Sequence, residues 1–141
     1  MKCRYWRLLC CRSILPAMNS LSVQTGGRAG CHGLLLRGAC ASDADAACLT
    51  QALAPLLAHR EACLWLDCQQ LHALSWRGQR ALLYADGLAR TAGTTLYWCG
   101  LPIAVATQLQ ESGVAPLLHL LPANAFRGPS FLPEAGAAPV A

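Results

Sequence analysis

Leu64-Trp-Leu-Asp-Cys-Gln-Gln-Leu-His-Ala-Leu-Ser-Trp-Arg-Gly-Gln-Arg-Ala-Leu-Leu83 changes its hydrophobic pattern partway along. The run Cys63-Leu-Trp-Leu66 is apolar on both faces, which suits a central strand of a covered sheet, and it ends at Asp67. Cys68 to Leu74 is polar enough to read as a loop. From Gly78 to about Ala92, residues Ala81, Leu82, Ala85, Leu88 and Ala89 recur at helical spacing, and Gly93 is a natural stop. The junction Ser75-Trp-Arg-Gly78 thus lies where a helix begins. It carries free backbone N–H groups and the positive end of the helix dipole. An anion, a phosphate or a partner protein would be received at such a place.

The flanks extend the same alternation. Upstream, Leu21 to Gln24 and Gly33 to Arg37 read as two strands around the turn cluster Thr25 to Gly30, a hairpin that Gly38 and Ala39 close. Ser42 can cap a helix, with Asp45 at the third position of a capping box, and Ala46, Leu49, Leu53, Leu56 and Leu57 follow at helical spacing. Pro55 should kink or shorten that helix. Downstream, Thr94 to Cys99 is rich in strand formers. Pro102 opens a third helix that stops before Gly113, and Leu117 to Leu121 is a last strand. The order is β-β-α-β-α-β-α-β. It predicts an α/β fold with a mixed sheet of four to five strands, right-handed parallel crossovers and helices packed on one face.

The chain has 141 residues and a net charge of +4. Lys2, Arg4, Arg7 and Arg12 account for that excess, and the remainder carries seven basic and seven acidic residues. A balanced body of this kind does not suggest nucleic-acid binding. Residues 1–17 are expected to be an unstructured basic extension, with Met18 as the expected start, 18–122 a domain, and 123–141 a loose Gly-, Pro- and Ala-rich tail whose main anchors are Phe126, Phe131 and Leu132. No apolar run reaches the ~18 residues that span a bilayer, so direct membrane insertion is not expected. The nine cysteines are odd in number, none with C-x-x-C spacing, and several sit inside apolar patterns. They read as reduced thiols and point to a cytoplasmic protein.

From Leu21 to about Pro122 the order and motifs resemble a STAS domain, the module of anti-sigma-factor antagonists and of sulphate-transporter tails. Leu34-Leu-Leu-Arg-Gly38 before an acidic helix start is similar to the family's second strand, and Leu64-Trp-Leu-Asp67 to its third. Ser75-Trp-Arg-Gly-Gln-Arg-Ala-Leu-Leu83 stands where the family has Asp-Ser-Ser-Gly and the next helix. Thr95 to Leu101, Leu109 to Val114 and Leu117 to Leu121 resemble the closing β-α-β. The resemblance implies a protein-binding regulator in which a partner kinase phosphorylates the second Ser. Counting back from Gly78, Arg77 holds that position, Trp76 that of the first Ser and Ser75 that of the Asp. A permanent positive charge stands where a phosphate of about −2 would be added. The family's last helix is also shortened here, since Ala123 to Pro129 offers barely one turn.

A non-catalytic interaction module is therefore expected. Its docking surface comprises the loop from Cys68 to Leu74, the junction Ser75 to Gly78 and the exposed face of the following helix, with Gln70, His72, Ser75, Trp76, Arg77, Gly78 and Gln79 as its named residues; its partner is an anti-sigma kinase-like regulator, and no cofactor is implied. Ser75 is first an N-cap and second a relocated phosphosite. Trp76 beside Arg77 has hot-spot composition, and the Arg fork suits a carboxylate. Cys63, Cys68, His72 and Cys99 lack the close ligand pairs of a zinc site, and residues 63 and 68 point to opposite faces of a regular strand. Two alternatives compete: an accessory subunit of a lipid or anion transport system, and a small enzyme with a nucleophile at Cys68 or Ser75.

Overall fold

The computed structural model describes residues 20–28 and 30–131. The expected basic extension, the start at Met18 and the last ten residues of the expected tail lie outside the described residues. Five strands and three helices follow in the anticipated order. They are β1 (Leu21–Arg28), β2 (Cys31–Cys40), α1 (Asp43–Leu57), β3 (Cys63–Leu74), α2 (Trp76–Thr91), β4 (Thr95–Cys99), α3 (Ile103–Ser112) and β5 (His119–Leu121). The sheet order is β1-β2-β3-β4-β5, with β1 antiparallel to β2 and every later pair parallel.

Alternation along the strands sorts the sheet into two faces. Leu34, Leu36, Leu64, Leu66, Cys68, Leu96 and Trp98 point one way and join Leu49, Leu53, Leu82, Ala85, Val105 and Leu109 of the helices in one core. The three helices thus pack on one face, and each fully buried Leu contributes about 1.5–3 kcal/mol. Helix α1 starts as its sequence demands. The Ser42 hydroxyl accepts from the Asp45 N–H, and the Asp45 carboxylate accepts from the Ser42 N–H, a complete capping box. Asp45 also accepts from the N–H groups of Leu21 and Ala41, at 3.0 and 2.9 Å, so one buried carboxylate ties the start of β1 to the helix. Pro55 lies in the last turn, and the helix runs only two residues past it.

Several boundaries differ from the sequence expectation. The polar stretch Cys68 to Leu74 is a strand, not a loop. Arg37, Gly38, Ala39 and Cys40 pair with Gln70, Leu71, Ala73 and Leu74 after register shifts in the ladder. The shifts replace period-two burial by three-residue steps from Cys68 to Leu71 and from Leu71 to Leu74, which hides the strand pattern from a periodicity search. Strand β1 likewise runs through Gly26 and Gly27, and β2 continues past Gly38, whose φ is +95°. Helix α2 starts at Trp76, two residues early. Leu117 belongs to a 3-10 turn, leaving β5 only three residues.

The opposite face is covered from the C-terminal side. Gly26, Gly33, Trp65, Tyr97 and His119 form a row across all five strands. Trp65 stacks on Tyr97 at 4.8 Å between ring centroids, and Tyr97 meets His119 edge-on at 5.7 Å. The segment expected as a loose tail begins with a 3-10 turn at Ala123–Ala125. It then lies over this row. Phe126 meets Trp65 edge-on, Pro129 rests above Gly33 and Phe131 above Gly26. A Cβ at Gly33 would come within 2.4 Å of the Trp65 carbonyl oxygen and 2.9 Å of Pro129 Cδ. The bare backbone of β1 and β2 is thus the trough that admits the strap. Replacing Phe126 and Phe131 together by Ala should lower stability by about 1–3 kcal/mol and shift the Trp65 indole resonance. Urea unfolding with indole NMR checks this, and an unchanged midpoint would show that the strap carries no load.

Candidate functional site

Strands β2 and β3 are parallel neighbours, so their C-terminal ends bring two helix starts side by side. The Ser75 N–H donates to the Cys40 carbonyl at 3.1 Å, and the Ser75 hydroxyl donates to the Ala41 carbonyl at 3.2 Å. The same hydroxyl oxygen accepts from the N–H groups of Arg77 and Gly78, both at 3.2 Å. This is the N-cap expected of Ser75, and it engages the hydroxyl three ways. Gly78 is buried directly beneath. A Cβ there would lie 1.9 Å from the Cys40 carbonyl oxygen, a distance no side chain can adopt. Gly78 therefore admits the close approach of α2 to β2 and offers no side chain to a partner.

That approach turns Trp76 and Arg77 outward. Trp76 is 60% exposed. The Arg77 guanidinium lies 5.1 Å from its ring centre, and that of Arg80 lies 5.5 Å from it. Arg77 also reaches Asp43, in the first turn of α1, at 3.6 Å. One turn beyond Arg80 on the same face, Tyr84 is 61% exposed. Asp43, Ala46, Arg77, Arg80, Ala81 and Tyr84 line a shallow groove of about 200 Å³ between α1 and α2. The first turn of α2 contains no acid, so the positive end of its dipole is not offset within the helix.

The other expected site residues are dispersed around this centre. Gln79 faces α3, where its side-chain oxygen accepts from the Ser112 hydroxyl at 2.6 Å. Gln70 accepts from Arg37 Nε at 3.1 Å on the extended part of β3, and His72 is exposed on the same strand. Arg80 and Tyr84 lie on the exposed face of the helix after the junction, which the sequence assigns to the docking surface without singling them out, and Asp43 belongs to the expected acidic helix start. The first two were legible as the i+4 and i+8 neighbours of Trp76, whereas Asp43 arrives only through the parallel pairing of β2 and β3.

The thiols sit in surroundings that suppress their reactivity. Burial, then the charge of Asp45, pushes Cys40 up to about 12. Burial pushes Cys68 well above its ordinary value, with Cys99 and Asp67 adding to it. Cys99 is raised to about 11 by burial and by Asp67. At neutral pH these three are neutral thiols, and the thiolate is the nucleophilic form. Cys63 and Cys68 lie on opposite faces of β3. Among the described residues no three His, Cys, Asp or Glu side chains gather as a metal-ligand set.

A second polar cluster, not anticipated, lies at the other end of the sheet. The Glu61 carboxylate accepts from the N–H groups of Gly30 and His32, at 2.8 and 3.3 Å, and contacts His32 Nδ1 at 2.6 Å. The His59 ring stacks on that of His32 at 4.6 Å. Thr94 donates to the Glu61 carbonyl at 2.8 Å. Between the two His59 and Glu61 side chains, Arg60 adopts a left-handed φ of 56°. The cluster pins the β1–β2 hairpin to the α1–β3 connection. Burial opposes the charge on Glu61, but the Gly30 N–H and the His32 ring and N–H outweigh it and hold the carboxyl below its ordinary value. Among the described residues, no helix is long and apolar enough to cross a membrane.

Compared with known proteins, the chain matches no family model and no curated protein.

Gly78→Ala should cost about 1–3 kcal/mol or more through overpacking, whereas Gly87→Ala, with open space at its Cβ, should stabilise α2 by roughly 0.5–1 kcal/mol. Denaturant midpoints of the two variants should therefore move in opposite directions. For Glu61 the folded value is depressed, so its contribution is complete above the ordinary carboxyl value of 4.5 and is lost as the pH falls through the lower folded value. Glu61→Gln should be less stable than the parent at neutral pH, and the gap should close in acid. A gap that stays constant with pH would mean that the carboxylate charge does not hold the hairpin.

Proposed function

We propose that this chain is a non-catalytic protein-interaction module of the STAS type, similar to an anti-sigma-factor antagonist whose switch position has been replaced by Arg77. The order of elements and the mixed sheet with helices on one face support the type. The junction Ser75 to Gly78 supports the relation in particular, because it opens the helix after β3, where the family presents its phosphorylated serine. The observation that carries the docking role is Trp76. Exposing most of a Trp indole to water forgoes a large apolar gain, and a binding surface is where such a residue recovers it.

Arg77 cannot accept a phosphoryl group, and Ser75 spends its hydroxyl on the helix cap. Binding at this surface is therefore constitutive and is not switched there by phosphorylation. The surface is narrower than the sequence suggested. It centres on Trp76, Arg77, Arg80 and Tyr84, while Gly78 supports it from below and Gln79 leans towards α3. The partner is a regulator of the anti-sigma kinase kind. Neutral buried thiols at Cys68 and Cys99 favour this reading over a cysteine-nucleophile enzyme.

Trp76→Ala combined with Arg77→Ala should abolish capture of the partner by the tagged protein in its native cell extract. Both side chains are exposed, so stability should change by less than about 0.5 kcal/mol. Quantitative mass spectrometry of the captured proteins, with an unfolding curve for each variant, makes the comparison. A folded double variant that captures the same partner at the same level would overturn the surface assignment.

A further inference from the structure

We infer that the occupant of the Trp76–Arg77–Arg80–Tyr84 face is an acidic segment of a partner protein, and that Asp43 holds the place of one of its carboxylates in the free chain. This rests on the docking reading above and names the chemistry of the partner.

The charges on this face are complementary to an acidic segment. Two guanidiniums flank one indole, and among the described residues they have a single carboxylate between them. Arg80 has no carboxylate partner among the described residues, while Arg77 pairs with Asp43 at 3.6 Å. That pair is loosely held, with the Arg77 side chain 49% and the Asp43 side chain 90% exposed. An exposed pair of this kind is worth little and exchanges readily for a better-placed carboxylate. The dipole of α2 adds positive potential at the same point, and no acid in its first turn offsets it. Trp76 and Tyr84 lie at the ends of the stripe and supply flat apolar contact on either side of Arg80. The groove lined by Asp43, Ala46, Arg77, Arg80, Ala81 and Tyr84 runs beside this stripe.

Acidic protein is favoured over nucleic acid or an anionic lipid surface because the positive character is local. Beyond the first twelve residues the basic and acidic residues are equal in number, so that part of the chain carries no net positive charge to follow a phosphate backbone or a membrane plane. The patch is one helix face wide, with an aromatic at each end, which matches a short peptide.

The test uses the full chain and a synthetic acetylated peptide of glutamates and leucines, with its counterpart in which every glutamate is glutamine. Titration is followed by the Trp76 indole and Arg77 Nε–H resonances. The glutamate peptide should shift both, and the glutamine peptide neither. Asp43→Asn should tighten binding roughly two- to five-fold by freeing Arg77, the range open to an exposed pair. Arg80→Ala and Arg77→Ala should each weaken it. Raising the salt from about 0.1 M to about 1 M, which shortens the Debye length from about 10 Å to about 3 Å, should weaken it further. Equal binding of the glutamine peptide, weaker binding by folded Asp43→Asn, or displacement of the peptide by single-stranded DNA or phosphatidylserine vesicles at equal charge would overturn the inference. Should the peptide fail while the Trp76 and Arg77 double variant still loses its captured partner, the surface stands and its acidic occupant falls. Should both fail, the surface itself falls.

Discussion

The backbone of α2 meets the end of β2 with no side chain between them. Gly78 sits so close to the Cys40 carbonyl that any Cβ would collide with it. Two hydrogen bonds from Ser75, one to Cys40 and one to Ala41, close the same seam. This contact sets the depth and angle at which α2 begins. Trp76, the next residue, can then only point outward, and Arg77 is carried to the first turn of α1. The exposed surface is thus a consequence of a buried glycine.

The two faces of the sheet solve the same problem with different means. On one side, helices cover alternate leucines in the usual manner of an α/β layer. On the other, a strap covers Gly26, Gly33 and Trp65. It can do so because Gly26 and Gly33 leave a trough beside Trp65 into which Pro129 and Phe131 fit. The Trp65 ring on β3 stands beside that trough, backed by Tyr97 on β4. Glycine here serves close packing rather than flexibility, as it does at Gly78. Gly33 and Gly78 each mark a place where the backbone and its neighbour share space that a methyl would need.

Charge is used sparingly and locally. Asp45 joins three backbone N–H groups at the start of β1 and α1, and Glu61 joins two more and the His32 ring at the hairpin end. Each carboxylate ties elements far apart in the chain, and each accepts several hydrogen bonds, which is how a buried or half-buried charge is tolerated. Among the described residues, the cationic groups near Trp76 have no comparable partners. They remain available, and this contrast between satisfied acids and loosely engaged arginines separates the structural charges from those at the proposed surface.

From sequence alone, the order of elements, the helix cap at Ser42 and Asp45, the N-cap at Ser75 and the position of Arg77 at the head of α2 were all legible. These are local matters: period, capping geometry and residue type act over a few neighbours. The tertiary structure decided what local rules do not reach. Gln70 and His72 lie on a strand because β2 continues far enough to pair with them across a register shift. Asp43 meets Arg77 because two parallel strands end together, and Phe131 settles on Gly26 because a bare patch of backbone awaits it. Contacts between residues distant in the chain depend on how elements pair, and no window of sequence contains both partners.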